Sequence, residues 1–415
     1  MMSRTNRNTA PVPTMSKAFE LFYQNWRLGP WALMLSAFLS AAVTGILYVA
    51  LPWRVKFLGG GPAAVGAVGG LYMGVYLLSV LLVGPRADKW GVKRVILAGT
   101  GLTTIIYLLT PLLNSVWQIM CATSLMGLLL GMLWPPLMGW VTSGHTGKNL
   151  NRRVGLFNTS WTTGNIVGFL AGGPILTWRQ WAPFILCAFM SVVVLICLGI
   201  ARSRRTLAGK PNESAKPAER DHKLHSFLIA SRLGLLTGWA GLGALRTPLL
   251  ELLKEMNLGP NFNSLLAGAI SFSMAIAFFL WGRTQRWHFG LWMLACAQLG
   301  SAVLLCLVGL AQGPLMLFIF AVLVMPGSTL TYASHIYYSA AGSRSKASAM
   351  AIHEFTLGAG FALGSFGGGY IAEFAGIRWA YPVMGAIMAA SVIVQLIIQP
   401  MLARKGGGSA LQSVS

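Results

Sequence analysis

Long apolar runs recur along the whole chain, and they decide its class before any single residue is considered. Of 415 residues, 55% are hydrophobic and 10% charged, where soluble domains carry about 25% charged residues. A helix needs about 20 apolar residues to cross a bilayer, and within it every backbone N–H and C=O must be satisfied inside the chain. Twelve such runs can be drawn, at 30–52, 63–83, 95–113, 116–141, 154–177, 181–201, 226–250, 262–281, 289–311, 313–340, 347–373 and 379–402. The expected fold class is an all-α membrane protein with twelve transmembrane helices.

Connections between the runs are short except one. Residues Arg202–His225 are polar, charged and carry Pro211 and Pro217, the composition of a flexible linker. The expected organisation is an N-terminal segment 1–29, a six-helix half 30–201, a linker 202–225, a second half 226–402 and a tail 403–415. The formal net charge is +22. In a soluble chain this would point to nucleic acid, but here the cations sit in short loops between apolar runs, so no nucleic-acid partner is expected. Of the 31 Lys and Arg residues, 24 lie on the side that holds both termini and the linker, and the opposite loops hold 5, Arg54, Lys56, Arg179, Lys254 and Arg378. Arg232 and Arg246 fall within a run. Cytoplasmic loops carry the excess of Lys and Arg, so both termini and the linker are expected in the cytoplasm. The five cysteines, Cys121, Cys187, Cys197, Cys296 and Cys306, lie in apolar runs without metal-ligand spacing and read as small buried hydrophobes. No short apolar core followed by a cleavage site precedes the first run, so no cleaved signal peptide is expected.

A displacement of 196 residues superimposes the halves. Pro52, expected to end the first span, falls on Pro248, and Gly131 falls on Gly327. In the fifth run Gly164, Gly168, Gly172 and Gly173 fall on Gly360, Gly364, Gly368 and Gly369 of the eleventh. One match of glycines carries little, because such runs are glycine-rich. A constant offset held from Pro52 to Gly173 points to an internal duplication.

Between the second and third runs lies Gly84-Pro-Arg-Ala-Asp-Lys-Trp-Gly-Val-Lys-Arg94, expected as a loop. Gly84, Asp88, Gly91, Lys93 and Arg94 fill the pattern Gly-x-x-x-Asp-x-x-Gly-x-Lys/Arg-Lys/Arg. With the twelve runs and the duplication, this resembles the major facilitator superfamily, and the resemblance extends from about Trp31 to Leu402. It implies the major facilitator fold of two six-helix repeats, with a substrate site near the bilayer midplane between them. It further implies that Asp88 meets the start of the eleventh helix as a cytoplasmic latch, in a loop shaped by Gly84, Gly91, Lys93 and Arg94. The plain alternative is a solvated loop whose cations only set topology. The matching loop of the second half, Gly282–Gly290, has no acid, so the latch is expected to be one-sided. The fifth-run glycines resemble the family's fifth-helix motif, in which proline follows the second glycine. Phe169, and Ser365 in the second half, stand at that place, and the departure argues against an antiporter.

A charge inside a span is costly and needs a partner or a function. Glu354, with His353 beside it, is expected either to carry a proton or to pair with Arg86 or Lys89 in the latch. Arg246 precedes Pro248 by two residues in the seventh run, which lines the cavity in the family. A guanidinium stays charged and forks onto carboxylate or phosphate, so Arg246 is expected to clamp an anionic group, unless it snorkels outward or pairs with Glu251. Arg232 is expected to snorkel. Ser328, Thr331, His335 and Tyr338 share one face of the tenth run, and Asn158, Trp161 or Thr162, and Asn165 share a face of the fifth. A polar stripe on a membrane helix should face water or protein, so Asn158, Asn165, Ser328, Thr331 and His335 join Arg246 as cavity candidates, with Tyr48 and Trp134 as aromatic walls. Most of the 15 Trp are expected at the membrane interfaces or in packing.

There is no phosphate-cradling Gly-x-x-x-x-Gly-Lys-Ser/Thr, no nucleophile–base–acid set and no metal-ligand cluster. The chain is expected not to be an enzyme and to need no cofactor and no metal. The fourth run lacks the Arg that many proton-coupled relatives carry, and the first run has no acid. The expected function is secondary active or facilitative transport of a small organic solute, anionic or zwitterionic, by alternating access. The expected setting is a bacterial cytoplasmic membrane, with the protein a monomer whose partners are the lipid bilayer and its solute. One alternative is a proton-driven exporter of amphipathic compounds working through Glu354. Another, of a different class, is a non-transporting membrane sensor or assembly partner.

Overall fold

The computed structural model describes residues 30–142, 147–201, 222–342 and 346–405, with side chains throughout apart from positions 30, 84, 85, 88, 147–151, 340, 342, 346–349, 404 and 405. Among the described residues every regular element is helical. The first half contains α1 (Pro30–Phe57), α2 (Pro62–Trp90), α3 (Val92–Leu109), α4 (Val116–Leu130), α5 (Trp134–Thr142), α6 (Gly147–Trp178) and α7 (Ala182–Ile200). The second contains α8 (His222–Arg246), α9 (Leu249–Glu255), α10 (Pro260–Gly282), α11 (Leu291–Leu310), α12 (Pro314–Leu323), α13 (Met325–Gly342), α14 (Lys346–Phe374) and α15 (Ile377–Lys405). Pairing α4 with α5, α8 with α9 and α12 with α13 across short breaks gives twelve spans, and the fold is that of an all-α membrane protein.

Four expected boundaries move. Pro52 does not end the first span: it lies inside α1, which carries Arg54 and Lys56 in its last turn. The stretch 84–94 is not a loop. α2 runs on to Trp90, the break is Gly91 alone at φ 90°, and α3 starts at Val92. Polar residues do not stop a helix at the water interface, whereas a left-handed backbone conformation does, and glycine adopts it without steric cost. Likewise α8 starts at His222, inside the expected linker, and α15 continues to Lys405. The apolar run marks the hydrocarbon thickness rather than the length of the helix.

The outer surface is apolar. Leu78, Leu81, Ile105, Phe189, Phe279 and Ile397 are all exposed along their spans. Exposed tryptophans form two belts, Trp31, Trp90 and Trp292 at the end of the bundle that holds the chain termini, and Trp117, Trp178, Trp181 and Trp379 at the far end. Such belts mark the two headgroup levels. Ten stretches among the described residues are long and apolar enough to cross a membrane by composition alone, and α6 and α14 are not among them. These two helices carry the glycine rows and much of the polarity, and they earn burial elsewhere.

Each glycine row seats its helix on the first helix of its own half. A Cβ on Gly164 or Gly168 would collide with the backbone of Phe38 or Ala42 in α1, and one on Gly360 or Gly364 with Leu236 or Ala240 in α8. The fourth glycine of each row crosses to the other half. Gly173 N–H donates to Ser264 Oγ at the start of α10, and Gly369 lies on Gly66 at the start of α2, where a Cβ would come within 2.7 Å of the Gly66 Cα. Small residues permit this backbone approach, which is how helices associate where lipid removes the hydrophobic drive.

Candidate functional site

Pro248 has no N–H and cannot extend α8, so the seventh span breaks at Thr247–Pro248 and restarts as α9. Arg246 is the last residue before that break and sits well inside the span. Its guanidinium lies 4.3 Å over the Phe169 ring and 5.9 Å from the Tyr48 ring, both contributed by the other half. Nη2 donates to Ser271 Oγ at 2.9 Å, while Nε is buried without a partner. Neither ion pair found among the described residues includes Arg246, and Glu251, its expected alternative partner, is bound to Lys56. A guanidinium has five N–H donors, so two rings and one hydroxyl leave it undersatisfied. It faces a narrow pocket, with room for about one water, lined by Tyr48, Val49 and Phe169 from one half and by Asn263, Ala267 and Ile270 from the other. A second pocket as narrow shares Tyr48 and reaches Thr44, Tyr72 and Thr247. Phe169 occupies the position where the family pattern has proline, and this departure is what puts a ring under Arg246.

The halves meet on the side away from the termini. Lys56 Nζ at the end of α1 binds Glu251 Oε2 in α9 at 2.8 Å. Glu373 near the end of α14 accepts the backbone N–H of Ala63 at the start of α2, at 3.0 Å. Thr177 of α6 donates to Asn261 of α10 at 3.3 Å. The apolar clusters agree. The two around Tyr48 draw side chains from both halves, Met73 into one and Leu250 and Ala267 into the other. Near the termini, one cluster is built from residues 32–201 and another from residues 281–337. Among the described residues, then, the bundle is closed at its far end and its halves keep separate cores at the end that holds the termini.

The other expected cavity residues are dispersed. Trp134 packs edge-on against Phe157 within the first half's own cluster. Asn158 is exposed and accepts the Trp161 indole N–H at 3.2 Å, while Asn165 is part-buried with an unpartnered Oδ1. The polar stripe of the tenth span faces protein rather than open space. Ser328, Thr331, His335 and Tyr338 are all buried, with Ser328 and Thr331 against Gly238 of α8. Thr331 donates to the Ser328 carbonyl of its own helix at 2.7 Å, and the Ser328 hydroxyl is unpartnered. His335 meets His353 across α13 and α14, Nδ1 to Nδ1 at 2.8 Å, and Arg232 Nε contacts His335 Nε2 at 3.4 Å. Arg232 therefore turns inward instead of snorkelling.

The expected latch is only partly visible. Gly84 and Asp88 lie within α2, and the Asp88 side chain is outside what the structure describes. Lys93 donates to the carbonyls of Gly199 and Ala201 at 2.6 and 2.8 Å, so it caps the C-terminal end of α7 within its own half. Gly91 supplies the break between α2 and α3, Arg94 is exposed, and Arg86 bonds back to its own helix at Leu82. Glu354 is part-buried and takes no part in the ion pairs found among the described residues, so it does not pair with Arg86 or Lys89. Its electrostatic neighbours are Tyr76 of α2 and Tyr332 of α13.

Lys56, Glu251 and Glu373 are not among the expected site residues, and Glu251 pairs with Lys56 rather than with Arg246. A signal was available, since three of only nine acids, Glu251, Glu255 and Glu373, fall at the ends of spans opposite the termini. Phe169 was noticed as a missing proline, not as a partner of Arg246.

Comparison with known proteins places this geometry in context. A family model described as Major Facilitator Superfamily matches residues 33–247. Multidrug resistance protein MdtG of Citrobacter koseri is 27% identical over 187 residues, 43% of this chain and 46% of that protein. Probable anion transporter 3, chloroplastic, of Oryza sativa subsp. japonica is 26% identical over 178 residues, 41% of this chain and 33% of that protein. The chain spans about half or less of the length of the curated relatives it matches. Among solved structures, a bacterial homologue of the human lysosomal transporter Spinster, inward-facing and occupied, aligns with a TM-score of 0.68 at 15% identity, over 90% of this chain and 95% of that one. At that identity the likeness is one of fold.

Proposed function

The chain belongs to the Major Facilitator Superfamily, and on that premise we propose that it is a transmembrane transporter whose cargo is a small organic solute bearing an anionic group, moved by alternating access. The observation that carries this is Arg246. It is a permanent cation, held between the halves by rings and one hydroxyl, and among the described residues its buried Nε–H is unpartnered and it forms no ion pair to a carboxylate. An intramembrane charge left in this state fits an incoming carboxylate or phosphate as its counter-ion. The anion-transporter relatives support the same reading by name alone. The charge asymmetry supports cytoplasmic termini, and on that orientation the far-side contacts close the outward face. A zwitterion would meet Arg246 through its anionic end. A second reading, export of amphipathic compounds, has the aromatic lining by Tyr48, Tyr72 and Phe169 in its favour.

The test is binding of a panel of small carboxylates, phosphate esters and lipophilic cations to the purified protein, followed as a thermal shift, for wild type and Arg246→Ala. A charge-assisted hydrogen bond contributes about 1.5–3 kcal/mol, so the variant should bind the anionic cargo roughly 10- to 100-fold more weakly. Equal binding by both proteins overturns the clamp, and selective binding of lipophilic cations favours the exporter.

A further inference from the structure

The first turns of α10 carry three polar side chains, Asn261, Asn263 and Ser264. Two of them are spent on α6. Asn261 accepts the Thr177 hydroxyl at 3.3 Å, and Ser264 accepts the Gly173 N–H. Asn263 differs. It is 5% exposed, and among the described residues its amide makes no hydrogen bond, although its backbone N–H is satisfied by the Gly259 carbonyl. Asn263, Ala267 and Ile270 share one face of α10, and all three line the narrow pocket in front of Arg246. A buried amide without a partner is costly, and buried polar groups are almost always paired. Arg246, at the same pocket, has an unpaired Nε–H of its own and turns to Ser271 rather than to Asn263. Unspent donors from α8 and α10 thus converge on one small space.

Shape limits what can fill that space. The Phe169 ring lies 4.3 Å from the guanidinium and covers one of its faces, so an anion has to approach along the guanidinium edge. A carboxylate is planar and joins that edge in the same layer. One carboxylate oxygen takes about the room of the single water that the pocket admits. A phosphate or sulfonate head is tetrahedral, and an oxygen out of the plane runs into the ring. We propose that Asn263 is a specificity-determining residue: its amide donates to one carboxylate oxygen from the α10 side while Arg246 holds the other from the α8 side, so that the site takes a carboxylate in preference to a phosphate. This deepens the transport reading above and rests on the Arg246 clamp. The head group then bridges α8 and α10 beside the turn that Asn261 and Ser264 fasten to α6, at the seam between the halves.

The experiment uses the full chain in lipid nanodiscs with two head-group probes, acetate and methylphosphonate, each titrated by saturation-transfer NMR on its methyl group. The wild type should bind acetate saturably and methylphosphonate more weakly. Asn263→Ala should weaken acetate by about 2- to 10-fold, the worth of one neutral hydrogen bond. Asn263→Asp sets a carboxylate at the pocket itself. It should abolish acetate binding and raise the Tm of the probe-free protein, because Arg246 gains a counter-ion, whereas a buried acid out of its reach would lower the Tm. No acetate binding to the wild type, equal binding of the two probes, or a lowered Tm in Asn263→Asp overturns the proposal. Undiminished acetate binding by Asn263→Ala beside its loss in Arg246→Ala overturns the role of Asn263 and leaves the clamp standing. Undiminished binding in both variants overturns the clamp as well.

Discussion

Replacing Glu251 by Gln should open the far side of the bundle. In the structure Lys56 Nζ and Glu251 Oε2 are 2.8 Å apart, with side chains only 15% and 10% exposed, and they belong to different halves. Two unit charges at that separation attract by about 6 kcal/mol at an effective dielectric of about 20. Desolvation of both groups cancels more than half of this. Glu251 Oε1 is buried without a partner, so the contact is a single hydrogen bond rather than a fork. About 2 kcal/mol remains, within the range of charged hydrogen bonds. The pair exists only while the far side is closed, so its loss counts fully against that state. Two kcal/mol is about a 30-fold change in the equilibrium between closed and open. Labels at Trp178 and Leu315, exposed far-side positions in different halves, report the opening by electron-spin distance measurement. Glu251→Gln should add a longer distance to the distribution, Lys56→Met should do the same, and the charge swap Lys56→Glu with Glu251→Lys should return it toward wild type. If Glu251→Gln leaves the distribution unchanged, the pair does not bias the equilibrium and the reasoning fails.

Two further outcomes follow from packing. Gly364→Ala sets a methyl against the Ala240 backbone, which cannot swing away, and should cost about 1–3 kcal/mol as overpacking. Gly74→Ala, with nothing within 4 Å of the new methyl, should be neutral or stabilising by up to about 1 kcal/mol; a Tm lowered as much as in Gly364→Ala would refute that contrast. Lys93→Ala should lower Tm by the loss of a helix cap, about 1 kcal/mol, while leaving the Trp178–Leu315 distances untouched. A shifted distance there would restore Lys93 to a latch between the halves.

What could be read from the sequence was what repeats or what is penalised locally. Apolar run lengths disclosed the spans, and the constant offset disclosed equivalent glycines, because close backbone approach permits no other residue. Arg246 stood out since an intramembrane charge is expensive wherever it lies. Partners were harder. Nothing local distinguishes Phe169 under Arg246 from any other aromatic in a span, because the two are brought together by packing of different halves. The His335–His353 contact joins two helices whose polar faces were each visible, but the register between them was not. The stretch 84–94 was misjudged for another reason: interfacial polarity looks like a loop, although only Gly91 breaks the helix.

The Gly66–Gly369 contact has a consequence for turnover. A seam made by interlocked side chains must free and then refreeze rotamers each time it parts, at up to about 2 kcal/mol of entropy for the long ones. Where Gly66 lies on Gly369 the touching surfaces are backbone, and there is no rotamer to melt. Gly173 against Pro260 and Ser264 makes an almost bare counterpart on the other flank. Each seam between the halves thus has one nearly bare contact, and the side chains that do interlock there, Phe366 on Gly70 and Leu170 on Gly268, are the rotamers that any parting of the seams would have to free.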